Sequence, residues 1–258
     1  MSFQGVSAAP RAPDGGSGTP EIALDGFGVT FPTFRFAPLT LTVAPGDRIA
    51  LLGANGAGKS TLMRALGGFL PQYEGSIQVD GAEVRDLLPG YRRRVGLLPE
   101  KLIGTPSATV AERLDFLAAF HPSWDSTYAA ELLSALELSA SARIGTLSKG
   151  MALKFSFVAA EAFRPPILLL DEPTSGLDPV VRRIFLSLLR EILGRVPART
   201  LLFSTHILED VEAFAERVWV LRAGSMVEDI SISRLRSQAG GGGLSSVLYE
   251  AIEQPPSD

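Results

Sequence analysis

The chain has 258 residues, 46% of them hydrophobic, a formal charge of −4 and no cysteine. That length suits one large α/β domain or two unequal lobes around a shared core, and the apolar content excludes a disordered chain. Without cysteine there is no disulfide framework, iron–sulfur site or cysteine-ligated zinc, and the acidic balance makes nucleic acid a poor default partner.

Residues 1–19, rich in Gly, Pro, Ser and Ala, read as a disordered tail. They hold no apolar stretch and are not expected to act as a signal peptide. No apolar run approaches the ~18 residues of a membrane span, so any membrane role is expected to pass through a partner. Ile22–Val43 reads as β structure closed by a Pro45-Gly46 turn. The apolar run Ile49–Leu52 leads into a glycine-rich stretch, after which Leu62, Ala65 and Leu66 repeat at helical spacing and stop at Gly67-Gly68. Arg92-Arg93-Arg94, read as a solvated face rather than a docking surface, precedes the run Val95–Leu98, which ends in Pro99-Glu100. His121 stands beside Pro122 in a turn and is read as a packing residue. Ala129, Leu132, Leu133 and Leu136 form one helical face; Met151, Phe155, Val158, Ala159 and Ala162 form another.

The run Ile167–Leu170 ends in Asp171-Glu172. Asp178 followed by Pro179 marks a helix start, with an N-cap carboxylate and a proline at the first helical position. Leu201–Phe203 runs into Ser204-Thr205-His206, and Val218–Leu221, Gly224 and Met226-Val227 suggest a late hairpin. Gly240–Gly243 reads as a linker and Leu244–Ile252 as a short helix. The four short apolar runs fit strands buried on both faces, as in a parallel sheet. Ligands of such sheets sit at the carboxyl ends of the strands, so these polar tips are expected to converge.

One tip carries a complete phosphate-binding pattern: Gly53, Ala54, Asn55, Gly56, Ala57, Gly58, Lys59, Ser60 and Thr61, with four residues between the first glycine and Gly58-Lys59-Ser60. Its glycines let successive backbone N–H groups turn towards phosphate oxygens, and the following helix adds its positive N-terminus. Lys59 is expected to reach the β- and γ-phosphates, and the Ser60 hydroxyl to ligate Mg²⁺. The plainer alternative is a glycine-rich turn that merely joins strand to helix; the pattern sits between a predicted strand and a predicted helix, the context a phosphate loop requires. At the next tip Asp171 is suited to the Mg²⁺ shell and Glu172 to accepting a proton from the attacking water. His206, on a third tip, is placed to hydrogen-bond the γ-phosphate or that water.

Leu147-Ser148-Lys149-Gly150-Met151, the block from Asp171 to Pro179, His206 and Leu98-Pro99-Glu100 follow the phosphate loop in an order that resembles the ATP-binding subunits of ABC transporters. The likeness spans residues 21–236. It implies an α/β P-loop NTPase with a mostly parallel central sheet, an N-terminal antiparallel β subdomain and an inserted α-helical lobe at about 101–163. The ATPase domain would run from 20 to 236, with 237–258 as linker and C-terminal helix. It implies ATP and Mg²⁺ as ligands, with Ser60, Asp171 and Glu100 at the metal and Glu172 and His206 catalytic. Ser148 and Gly150 would face an ATP held by a second ATP-binding subunit, in a head-to-tail homodimer or heterodimer coupled through Asp178. An aromatic from the early β region would stack on adenine; Phe31 and Phe34 both qualify, and Phe34 is preferred.

Three positions, in two motifs, depart from the family pattern. Lys149 stands where a second glycine is usual, with Met151 in place of glutamine, and Glu100 replaces another glutamine. These variants, with Trp124-Asp125, resemble bacterial exporter-like ATPases whose polytopic membrane permease is a separate chain. The resemblance therefore implies a cytoplasmic protein held at the inner face of the cell membrane by that permease. Two other readings are a non-transport ABC ATPase acting on DNA or ribosomes, and an ATP-sensing regulatory module. The short span between Gly53 and Leu147, the single ATPase domain and the absence of cysteine weigh against the first of these.

Overall fold

A computed structural model of the protein describes residues 21–85, 91–100, 105–196 and 198–238, together with Leu248. The tail at 1–19, the glycine run at 240–243, the side chain of Arg92 and all of the Leu244–Ile252 stretch except Leu248 lie outside the described residues. Leu248 itself is helical and fully buried.

Strands β1 (Ile22–Phe31) and β2 (Phe34–Val43) pair antiparallel, and β1 also pairs with β4 (Glu74–Val79), which continues into the short β5 (Ala82–Glu83). This gives an antiparallel sheet in the order β2-β1-β4-β5. The chain leaves it through the expected Pro45-Gly46 turn. Gly46, at φ 83, takes the left-handed position and Asp47 donates to the Ala44 carbonyl at 3.1 Å.

The second sheet has the order β10-β9-β3-β8-β7-β6, with β3 (Arg48–Leu52), β6 (Val95–Leu98), β7 (Ile167–Asp171), β8 (Thr200–Ser204) and β9 (Arg217–Arg222) parallel. Only β10 (Ser225–Ser231) runs antiparallel, closing a hairpin longer than its apolar residues suggest. The strands are continuous apolar runs because both faces are covered. Ile49, Leu51, Leu169 and Leu202 point to one core, shared with the antiparallel sheet and α1 (Lys59–Leu66). Ala50, Leu52, Leu168, Leu170 and Leu201 point to the other, shared with the remaining helices. This alternation follows from the two-residue repeat of a strand.

The helical lobe comprises α2 (Val110–Ala118), α3 (Ser126–Ala135) and α4 (Lys149–Glu161). Helix α2 opens with a capping box: Thr109 accepts from the Glu112 amide at 3.2 Å and Glu112 accepts from the Thr109 amide at 2.7 Å. Helix α4 lies between β6 and its neighbours α2 and α3. It consequently buries Leu153 and Phe157 as well as the stripe through Phe155 and Val158 that the periodicity marks. Helices α5 (Pro179–Arg195), α6 (Leu208–Phe214) and α7 (Ile232–Gln238) complete the chain, and α5 starts at its expected Asp178 cap, which accepts from Val180 at 2.8 Å.

The lobe is tied to the sheet by a buried ion pair. Arg199, just before β8, donates to both oxygens of Glu161 on α4 at 2.6 and 2.8 Å, and the Tyr128 hydroxyl donates to Glu161 at 3.0 Å.

Candidate functional site

The carboxyl ends of β3, β8, β7 and β6 lie side by side. The glycine loop, His206, the Asp171-Glu172 pair and Glu100 therefore arrive at one edge of the sheet. A cavity of about 1010 Å³ opens there, lined by the loop from Gly53 to Thr61, by Phe31 and Phe34, and by Glu100, Glu172 and His206.

The loop's shape is dictated by its neighbours. Gly53 has φ +151, and a Cβ there would lie 2.3 Å from the Leu221 carbonyl oxygen of β9. Only glycine passes this close to another strand. At Gly58, φ +108, a Cβ would meet the rings of Phe34 and Phe36 at 2.9 Å. Gly58 is also the N-cap of α1 and offers no side chain to bond the first amides. Those amides are left for a ligand, and the helix dipole favours an anion.

Lys59 is 7% exposed at its side chain and its Nζ lies 3.3 Å from Glu172 Oε1. It also donates to the Gly53 carbonyl at 2.8 Å and approaches that of Ala54 at 3.4 Å. Glu172 Oε2 lies 2.9 Å from His206 Nδ1; the histidine side chain is 58% exposed and the glutamate 11%. The three expected reactive groups thus form one chain: ammonium, carboxylate, imidazole.

Ser204, the last residue of β8, organises the acids. Its hydroxyl donates to Asp171 Oδ1 at 2.6 Å and accepts from the Glu172 amide at 2.9 Å. Glu172 has φ +50, a sparsely populated conformation for a non-glycine residue that is maintained here by those bonds. The sequence marks Ser204 as part of a polar strand tip but assigns it no role. Its signal was a polar residue closing an apolar run, in register with Asp171.

Behind these groups, Asp210 on α6 accepts from the Thr174 hydroxyl and from Arg182 Nη2, the latter at 2.6 Å. The segment following Glu172 and the helix following His206 are therefore clamped together. Asp171 is 4% exposed and lines a second cleft of about 300 Å³ with Glu100, Lys149 and Ser175.

The remaining expected residues lie elsewhere. Ser148 is the N-cap of α4, accepting from the Met151 amide at 3.3 Å, and is exposed; neither it nor Gly150 lines the loop's cavity. Asp178 is occupied as the cap of α5. Phe31 and Phe34 stack at 6.4 Å between centroids. Phe34 leans on Gly58 and Gly224, whereas Phe31 is the more exposed of the two at 39%; both line the cavity. His121 stacks on Phe163 at 4.4 Å, the packing role expected of it. No helix among the described residues is long and apolar enough to cross a membrane.

Comparison with known proteins gives concordant matches. Residues 36–175 match the ABC transporter family. The chain is 30% identical over 200 residues to the ABC transporter ATP-binding protein YtrB of Bacillus subtilis (strain 168), covering 78% of this chain and 68% of that protein. It is 35% identical over 198 residues to the Nod factor export ATP-binding protein I of Burkholderia pseudomallei (strain 1710b), covering 74% and 64% respectively. The chain thus spans about two thirds of the length of these curated relatives. A solved structure described as the ATP binding subunit of an ABC transporter superposes with a TM-score of 0.78 at 27% identity, covering 90% of this chain and 99% of that one.

Proposed function

The chain belongs to the ABC transporter family, and from that membership we propose that it binds and hydrolyses ATP to drive a separate membrane permease. The observation that carries this reading is the connected set Lys59, Glu172 and His206 at the mouth of the glycine loop. Loop amides and Lys59 grip the triphosphate, and the ammonium exchanges its carboxylate and carbonyl partners for phosphate oxygens. Glu172, released from Lys59, accepts a proton from water as that water's oxygen bonds to the γ-phosphorus. The bond from the γ-phosphorus to the bridging oxygen breaks, leaving ADP and phosphate. His206 hydrogen-bonds the γ-phosphate or the water and, through Nδ1, orients Glu172. Phe34, with Phe31 beside it, stacks on the adenine.

The hard oxygen donors Ser60, Asp171 and Glu100 suit Mg²⁺, which when bound would neutralise charge on the phosphates. Asp171 is oriented for this by the Ser204 hydroxyl.

By the family resemblance, Ser148 and Gly150 serve a nucleotide held by a second ATP-binding subunit, identical or related; their absence from their own chain's cavity is compatible with that role. Asp178, at the head of α5, lies in the segment that links the two sites. The partner that completes the transporter is a polytopic membrane permease, which would hold this subunit at the inner face of the cell membrane.

Steady-state turnover tests the reading. Wild-type protein is expected to hydrolyse Mg-ATP, and Glu172→Gln to lose at least about 100-fold in kcat while still binding nucleotide. Equal rates would remove Glu172 as the base. Co-expression with a polytopic membrane protein encoded in a neighbouring reading frame should give a stable complex; recovery of ribosomes or nucleic acid instead would overturn the transport role.

A further inference from the structure

Two of the departures from the family pattern, Lys149 and Glu100, lie far apart in the chain but line the same 300 Å³ cleft beside the nucleotide cavity. Glu100 and Glu172 belong to both spaces. Three carboxylates, from Glu100, Asp171 and Glu172, face the cleft, and Lys149 is the one cation among its described lining residues. The lysine's placement is specific. A Cβ built on Gly176 would lie 2.7 Å from Lys149 Nζ, so the ammonium occupies space that the glycine, at φ +63, leaves open. Lys149 thus reaches from the first turn of α4 to Gly176, in the loop that follows Glu172.

A third carboxylate near the phosphates disfavours a polyanion, and a nearby ammonium offsets that cost. We propose that Lys149 and Glu100 are a charge-matched pair, with Lys149 a positioning residue that balances Glu100 and so sets the adjoining cavity's affinity for the nucleotide's phosphates. The proposal rests on the ATPase reading above. Neither residue carries the fold: both are exposed.

The test is a double-mutant cycle read by binding of a fluorescent ATP analogue, mant-ATP, with and without Mg²⁺, alongside kcat and KM. Lys149→Gly is expected to weaken mant-ATP binding without Mg²⁺ by about tenfold, and adding Glu100→Gln to return affinity to within about threefold of wild type. Lys149→Arg, which keeps the charge, should stay within about threefold of wild type. At ~1 M salt, where the Debye length is about 3 Å, the Lys149→Gly penalty should shrink. A purely structural role would give neither the rescue nor the salt dependence. A Lys149→Gly penalty that Glu100→Gln does not relieve, or that salt leaves unchanged, would overturn the pairing. Wild-type protein that binds no mant-ATP would remove the ATPase reading and this inference with it, whereas normal wild-type binding with no rescue by Glu100→Gln removes this inference alone.

Discussion

Ser204 shows how much of the site depends on a single hydroxyl. It donates to Asp171 and accepts from the Glu172 amide, so its removal frees a metal-directed carboxylate and relaxes a left-handed backbone at the proposed base. Ser204→Ala is expected to lower kcat by about 10- to 100-fold, because misplacement of a reacting group by an ångström has effects of that size. The binding loop is untouched, so mant-ATP affinity should change little. A large loss of affinity with kcat preserved would contradict this role. Roles at this scale were partly readable beforehand. The glycines, Lys59, the two acids and His206 were legible because each type answers a local chemical need within a few residues. Ser204 was not, because its importance comes from being opposite Asp171 in a neighbouring strand, and pairing across a sheet leaves little trace in a single sequence. Phe34 and Phe31 were both visible as aromatics, but only packing distinguishes the ring leaning on Gly58 from the more open one.

Among the elements, the central strands stood out because burial on both faces requires unbroken apolar runs, and each extends only one residue or so beyond its run. Helix α2 was missed although Thr109 and Glu112 spell its capping box, since its apolar face is short: it buries Val110 and Leu114 and leaves Phe116 half exposed. The width of α4's buried surface was also hidden, because it depends on how many neighbours surround the helix. Glu161, at the end of α4, pairs with Arg199 where both are almost fully buried, at 1% and 3% side-chain exposure. Removing one partner strands the other charge without water. Arg199→Met should therefore destabilise the protein by about 3–5 kcal/mol, while the double change Glu161→Leu with Arg199→Met should recover most of that loss. Urea denaturation of the three proteins decides the matter. A double variant no more stable than the single one would show that the pair holds lobe and sheet together through its geometry rather than its charge balance.

At the scale of the whole molecule, the ordered motifs made the architecture legible: two sheets sharing α1's core, a helical lobe inserted between β6 and β7, and all the reactive groups at one sheet edge. The meeting of Lys149 with Glu100 in one cleft was not, since it depends on how the lobe is seated against the strand tips. The same placement leaves Ser148 exposed and outside its own chain's cavity. If Ser148 serves a second subunit's nucleotide, Ser148→Arg in a Glu172→Gln background should bind nucleotide normally yet fail to dimerise with Mg-ATP, as followed by light scattering. Dimerisation equal to that of Glu172→Gln alone would exclude a role across the interface.

All of these roles presuppose that the glycine loop and Lys59 hold a nucleoside triphosphate. Isothermal titration of the purified protein with ATP and Mg²⁺ measures this directly. The wild type should bind saturably and Lys59→Ala should lose nearly all affinity while remaining folded; absence of wild-type binding, or equal affinity in the two proteins, would contradict the account.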